Sequence, residues 1–174
     1  YASLKTVSIG KDALETIPQI VNDLGFKSLY LISDAITYDI AGKRTMEILE
    51  AAGIKAKMVT LTHTGFDEAT VGELLIHKPA DCDVCVAVGT GSINDMTRFF
   101  SFRCGLPFIT VATAAPMDGF ASSIAAINVN NLKTTYDAQT PVAIIGDTEI
   151  LAKAPAILKA SGFGDMMAKY IGLV

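Results

Sequence analysis

Short, almost uninterrupted apolar runs of β-forming residues recur along this chain, each separated from the next by a longer stretch with helical spacing. That alternation constrains the fold more than any other feature. The strand candidates are residues 5–9, 28–33, 56–61, 84–88, 107–112 and 142–145, mostly of the kind buried on both faces of a parallel sheet. Between them, 13–24 sets Leu14, Ile17, Ile20, Val21 and Leu24 at helical intervals before Gly25, and 38–52 does the same with Ile40, Met46, Ile48 and Leu49 before Gly53. Residues 67–77 open on Asp67-Glu68 and close on His77, Lys78 and Pro79, which suits the helix dipole at both ends. Strand and helix in repetition, joined by right-handed crossovers, specify a doubly wound α/β sheet, mainly parallel and six-stranded. One segment interrupts the rhythm: 124–137 carries Asn130-Asn131 between two alternating runs and reads as a β-hairpin inserted between the fifth and sixth strands. After Asp147 the pattern is helical throughout.

Composition narrows the functional classes. Of 174 residues, 51% are hydrophobic and 18% charged, so the chain has ample apolar surface to bury and is not disordered. The net charge of −4 and the absence of a Lys/Arg run argue against a nucleic-acid partner. No run nears the roughly 18 apolar residues that spanning a bilayer needs, which excludes a membrane segment. The chain starts at Tyr1 and stops inside an apolar, helix-like run (Met166, Met167, Ala168, Tyr170, Ile171, Leu173) that has no stop signal after it, so it reads as a piece of a longer polypeptide whose missing part covers the surplus apolar surface. Cys82, Cys85 and Cys104 form neither an even disulfide set nor a paired zinc pattern, and no secretory signal precedes them; reduced thiols point to the cytoplasm. Three residues apart in or beside a strand, Cys82 and Cys85 are expected on opposite faces.

The chemistry begins where the fourth strand runs into Gly89-Thr90-Gly91-Ser92 and a helix carrying Ile93, Met96, Phe99 and Phe100 on one side. A strand, a glycine turn and a helix N-terminus make an anion site: the glycines allow close backbone approach, and the free N–H groups of the first turn point at the anion. Ser92 is placed to cap that helix or to donate to the same anion. The spacing is not G-x-G-x-x-G, and the turn follows a late strand, so the standard dinucleotide fingerprint does not apply. Other polar residues fall at strand ends, where ligands bind in such sheets: Asp34, His63, Thr113 and Asp147. Asp34 reads equally as a ribose acceptor or as the N-cap of a helix. Asp118 lies in a loop of small residues, Asp95 and Arg98 are spaced for a helix-surface ion pair, and Asp165 opens a helix with Lys169 as its i,i+4 partner or serves as a metal ligand. His63 and His77 lack ligand spacing and read as structural or surface residues.

Three ordered blocks, Gly89 to Arg98, Pro107 to Ser123 and Gly162 to Tyr170, closely resemble the glycerol-1-phosphate dehydrogenase family, within the larger group of iron-containing alcohol dehydrogenases, glycerol dehydrogenases and dehydroquinate synthases. The resemblance implies a Rossmann-like nucleotide-binding domain over residues 1–148 and, at 149–174, the beginning of an all-helical domain. It implies NAD or NADP held by Gly89, Gly91, Ser92, Ile93, Asn94 and Asp95 at the pyrophosphate and nicotinamide side, by Thr113, Ala114, Ala115 and Pro116 along the adenosine and ribose, with Ser122 also on the cofactor and Asp34 at a ribose. It implies Asp118 as a catalytic substrate contact, and Asp165 as both substrate contact and ligand of Zn2+, or of Ni2+ or Fe2+, with the two histidine ligands in the helical domain. The reaction implied is hydride transfer between sn-glycerol 1-phosphate, a small phosphorylated polyol, and the nicotinamide, in a homo-oligomer. Glycerol dehydrogenase, another iron-type alcohol dehydrogenase and a nucleotide-binding module without activity are the competing expectations. Dehydroquinate synthase is disfavoured, because its Ser-Ser-Val-Gly-Gly-Lys run is replaced by Ser122-Ser123-Ile124-Ala125-Ala126-Ile127. Residues 1–174 in isolation are expected to bind nucleotide without turnover.

Overall fold

The computed structural model describes residues 3–63 and 65–172. Leu173 of the apolar run therefore lies outside the described residues. Six parallel strands, β1 (Thr6–Gly10), β2 (Ser28–Asp34), β3 (Lys55–Leu61), β4 (Val84–Gly89), β5 (Phe108–Ala112) and β8 (Ala143–Asp147), form one sheet in the order β1-β8-β5-β4-β2-β3. A separate antiparallel hairpin pairs β6 (Ile124–Val129) with β7 (Leu132–Asp137). Each expected strand is present, shifted at its ends by no more than a residue or two.

The period-two alternation of the central strands decides which helices lie where. Leu29, Leu31, Val84, Val86 and Val88 point to one face, where they pack against α1 (Ile17–Asp23) and α3 (Lys43–Ala51). Tyr30, Ile32, Cys85 and Ala87 point to the other, where α4 (Glu68–His77), α5 (Gly91–Arg103) and the hairpin cover them. The strands are buried on both faces, which is why they read as continuous apolar runs. Gly25 and Gly53, at φ +77° and +68°, end the first two crossover helices in the left-handed conformation. The segment expected as one helix over 13–24 starts with a tight turn at Ala13–Thr16, and that expected over 38–52 opens earlier, with α2 (Ala35–Thr37) and a widened turn at Tyr38–Gly42 before α3.

Asn130 and Asn131, at φ +51° and +63°, make the two-residue hairpin turn with the twist that flanking strands need. The hairpin lies over α5: Ala125 and Ile127 are buried, and the Tyr136 ring packs on Phe99 with centroids 5.3 Å apart. Its tip is tied to the start of α4, with Asn130 N donating to Glu68 Oε1 at 3.0 Å and Asn128 Nδ2 to the Gly65 carbonyl at 2.7 Å.

Cys82 precedes β4 rather than lying in it, so the alternation that would have separated it from Cys85 does not reach it. Both thiols lie in the core cluster on the α4–α5 face, and Cys82 Sγ donates to the Val84 carbonyl at 3.4 Å. The hydrogen bond with the neighbouring Cys82, together with burial, pushes the Cys85 thiol far above its ordinary value, which keeps it protonated.

Beyond β8 the chain is helical. Asp147 Oδ1 accepts from Glu149 N at 2.9 Å and caps α6 (Thr148–Lys153), while its Oδ2 accepts from Leu14 N, so this carboxylate is structural. Helix α7 (Ala156–Gly172) buries none of its described residues, and Ile157, Phe163, Tyr170 and Ile171 are each about 70% exposed. The apolar surplus that the composition showed is concentrated here. No helix among the described residues is long and apolar enough to cross a membrane.

Candidate functional site

From β2 the chain moves outward to β3, then crosses back to lay β4 on the other side of β2. The helices that follow β2 and β4 therefore leave for opposite faces, and a crevice opens between the two strand ends. Asp34 ends β2 and Gly89 ends β4. A cleft of about 410 Å³ lies there, lined by Asp34, Ile36, Thr90, Thr113, Ala114 and Pro155 among others. A second of about 680 Å³, with Gly91, Ser92, Asp95, Met117 and Lys133 on its walls, shares Thr90 and Leu158 with the first.

The turn between β4 and α5 is locally determined. A Cβ on Gly89 would meet Ile93 Cβ at 2.6 Å, so only glycine lets the strand turn this closely onto the helix. Thr90 occupies the N-cap, no side chain caps the helix, and the first turn carries no acidic residue. The N–H groups ahead of Asn94 N, which bonds the Thr90 carbonyl at 2.9 Å, are thus left for an anion. Ser92 is one position past the helix start and is not the cap; it lines the second cleft. Ile93 and Asn94 are buried beneath the turn, where Asn94 Oδ1 accepts from Thr110 Oγ1 at 2.7 Å while its Nδ2 has no partner among the described residues.

Thr113 holds the next loop to the turn, its N–H bonding the Gly89 carbonyl at 3.1 Å. Its buried Oγ1 has no partner among the described residues and belongs to a residue that lines the first cleft, as a ligand-directed hydroxyl would. Asp34 is an N-cap: its Oδ1 accepts from Thr37 N at 2.7 Å and from Thr37 Oγ1 at 3.0 Å. It also lines the first cleft, so the cap does not remove it from the site.

Helix α7 closes the far side. A Cβ on Gly162 would lie 2.1 Å from the Ala115 carbonyl oxygen, and Ser161 Oγ donates to the Pro116 carbonyl at 3.1 Å. This close approach brings Asp165 to the loop, where its Oδ2 accepts from Asp118 N at 2.9 Å. Lys169 pairs with Asp118 rather than with Asp165, because the loop carboxylate is the nearer acceptor on that face of the helix. The two residues that the sequence singled out separately are therefore joined, 47 residues apart in the chain, through the Asp118 backbone and the Asp165 carboxylate. Ser122 Oγ accepts from Ile124 N at 3.1 Å in a small hollow shared with Asp95, Arg98 and Met117.

Arg98 does not make a surface pair with Asp95. It is 1% exposed and its Nη1 donates to Asp95 Oδ1 at 2.6 Å from beneath the site. Burial pushes the Asp95 carboxyl up, against the opposing pull of the guanidinium. His63 bonds Asp67 at 2.8 Å and His77 ends α4 away from both clefts, as structural or surface residues would. Among the described residues no three His, Cys, Asp or Glu side chains converge to hold an ion. Lys133 was missed by sequence reasoning. It is the cation opposite Asn128 in the hairpin register, and both residues line the second cleft; its position on the alternating strand was the only available signal.

The model of the family described as iron-containing alcohol dehydrogenase matches residues 8–155. A glycerol-1-phosphate dehydrogenase [NAD(P)+] of Halalkalibacterium halodurans is 34% identical over all of this chain, which covers 45% of that protein. One from Methanosarcina barkeri is 36% identical over 98% of the chain, covering 48% of the relative. The chain thus spans about half the length of the curated relatives it matches. The crystal structure of glycerol dehydrogenase from Schizosaccharomyces pombe superposes with a TM-score of 0.88 at 21% identity, over 98% of this chain and 44% of that one, and shows the same fold. A parallel sheet with its crevice at the β2/β4 switch, a bare helix N-terminus after β4 and a match over residues 8–155 agree, and the chain belongs to the iron-containing alcohol dehydrogenase family.

Proposed function

We propose that this chain is the nucleotide-binding part of an NAD(P)-dependent, metal-dependent dehydrogenase that interconverts sn-glycerol 1-phosphate and dihydroxyacetone phosphate. The observation that supports the reading is the bond from Asp118 N to Asp165 Oδ2 next to Met117, whose sulfur lies against Gly91 at the start of α5, since substrate-binding and metal-binding carboxylates must lie near the hydride acceptor. In this reading residues 1–148 form the nucleotide-binding domain and 149–174 begin a helical domain that covers the exposed face of α7. The two clefts join at Thr90, which suits a dinucleotide: adenosine beside Thr113 and Ala114, pyrophosphate on the N–H groups of Gly91 and Ser92, nicotinamide toward Asp95 and Met117. Asp34 at the ribose favours NAD, because its charge repels a 2′-phosphate.

The chain's own part in the reaction is positioning. Asp118 accepts a bond from a substrate hydroxyl, and Asp165 fixes the Asp118 backbone from the helix side. A nicotinamide held on the α5 turn would supply the hydride acceptor for the carbinol carbon, with the hydroxyl proton passing to solvent. Asp165 would hold a divalent ion, zinc, nickel or iron, together with ligands from the helical domain, and that ion would supply Lewis acidity. The enzyme is proposed to be cytoplasmic and a homo-oligomer, the former supported by the reduced, buried thiols Cys82 and Cys85.

Turnover by the whole polypeptide on glycerol 1-phosphate, glycerol 3-phosphate and glycerol, with NAD and NADP compared, tests the assignment. A preference for glycerol 1-phosphate supports it; a preference for unphosphorylated glycerol replaces it with a glycerol dehydrogenase. Lys133→Ala is expected to weaken NADH binding roughly fivefold, the value of about 1 kcal/mol for an exposed ammonium near a phosphate, with the midpoint of thermal unfolding unchanged. Titration of the variant by NADH fluorescence checks this.

A further inference from the structure

Arg98 is the bulkiest fully enclosed side chain among the described residues; both terminal nitrogens of its guanidinium are bonded, while its Nε has no partner among those residues. Apart from Asp95, its bonding partners are main-chain oxygens of one short segment: Nη1 donates to the Ile124 carbonyl at 2.8 Å, and Nη2 to those of Gly119 and Phe120 at 2.7 and 2.9 Å. The Phe108 ring lies 5.8 Å below the guanidinium. Before β6 starts at Ile124, the other hydrogen bonds of segment 119–124 are few: a tight turn closed by Ser122 N on the Gly119 carbonyl, the Ser122 Oγ bond from Ile124 N, and Ala138 N donating to the Ser123 carbonyl at 2.8 Å. Asp118 immediately precedes it and Ser122 lies within it.

We infer that Arg98 is a positioning residue: its guanidinium, carried by α5, fixes Asp118 to Ser122 at a set distance from the glycine turn that opens the same helix. The inference rests on the nucleotide reading of the clefts for its effect on ligands, but not for its effect on the segment. The geometry requires arginine. Two terminal nitrogens reach acceptors on opposite sides, Asp95 and Ile124 by one and Gly119 and Phe120 by the other, whereas a lysine ammonium offers its donors from a single point. At the adenosine end of the site, Thr113 N bonds the Gly89 carbonyl of β4 at 3.1 Å, independently of Arg98. Loss of the clamp therefore separates the two ends of the site: the part that meets the nicotinamide and substrate loosens while the part that meets adenosine stays.

The test uses Arg98→Lys, which keeps a cation in the core, and Arg98→Gln, with two readouts. Hydrogen exchange of the amides at 119–124 should quicken at least about tenfold in the lysine variant, the equivalent of one lost charge-assisted hydrogen bond, while 110–114 stays protected. Affinity for NADH should fall about tenfold and that for ADP by less than about twofold. Unchanged exchange at 119–124 overturns the clamp. Quicker exchange with NADH and ADP weakened equally, or with NADH unaffected, shows a merely structural arginine and overturns the positioning role. A wild-type protein that binds neither nucleotide removes the site reading and the positioning role, yet the exchange arm still decides whether Arg98 holds the segment.

Discussion

Gly162→Ala is expected to lower the midpoint of thermal unfolding by roughly 4–8 °C and to weaken NADH binding with it. Two effects oppose each other. Alanine in a helix interior returns about 1 kcal/mol relative to glycine, but the new Cβ would sit 2.1 Å from the Ala115 carbonyl oxygen. A backbone oxygen cannot rotate aside as a side chain can, so α7 must move off the loop. Overpacking of this kind costs about 1–3 kcal/mol, and the shift also breaks the Ser161–Pro116 and Asp165–Asp118 bonds, for a net loss near 2 kcal/mol. For a domain of this size each kcal/mol moves the midpoint by about 2–4 °C. Gly164→Ala, two residues on in the same helix, meets nothing within 4 Å and should raise the midpoint by a few degrees. Calorimetry on the pair separates close approach from helix propensity: if both variants gain stability, α7 does not press on the 115–116 loop.

Asp165→Asn is expected to reduce turnover of the whole polypeptide by about 100-fold or more, since even partners one shell away from a metal typically change activity by about 10–100-fold. The amide keeps an oxygen to accept from Asp118 N, so folding and ADP affinity should hold. Steady-state kinetics and metal content of the purified variant provide the check. Loss of less than about fivefold in turnover, with metal retained, would mean that Asp165 only fastens the loop.

The sheet was legible because burial on both faces leaves an unmistakable mark: runs such as Val84 to Val88 cannot be placed elsewhere. The hairpin was legible from Asn130-Asn131, whose left-handed conformations suit that pair. What escaped depended on three-dimensional approach. Nothing in the spacing of Asp95 and Arg98 tells a surface pair from a buried clamp, because the decision is made by carbonyls at 119, 120 and 124. Lys169 fits Asp165 at i,i+4 yet pairs with Asp118, since Gly162 lets the helix come close enough for a loop acceptor to win. Cys82 defied strand alternation because β4 starts two residues later. Asp34 was balanced between cap and ribose acceptor, and the structure makes it the cap while leaving it on the cleft wall.

Titration of the protein with NADH, followed by nicotinamide fluorescence and competed with ADP, tests the central claim most directly. A saturable single site with a dissociation constant below about 1 mM, displaced by ADP and weakened by Lys133→Ala, is the predicted result. No fluorescence change up to several times about 1 mM NADH would contradict the assignment of the β2/β4 crevice as a dinucleotide site.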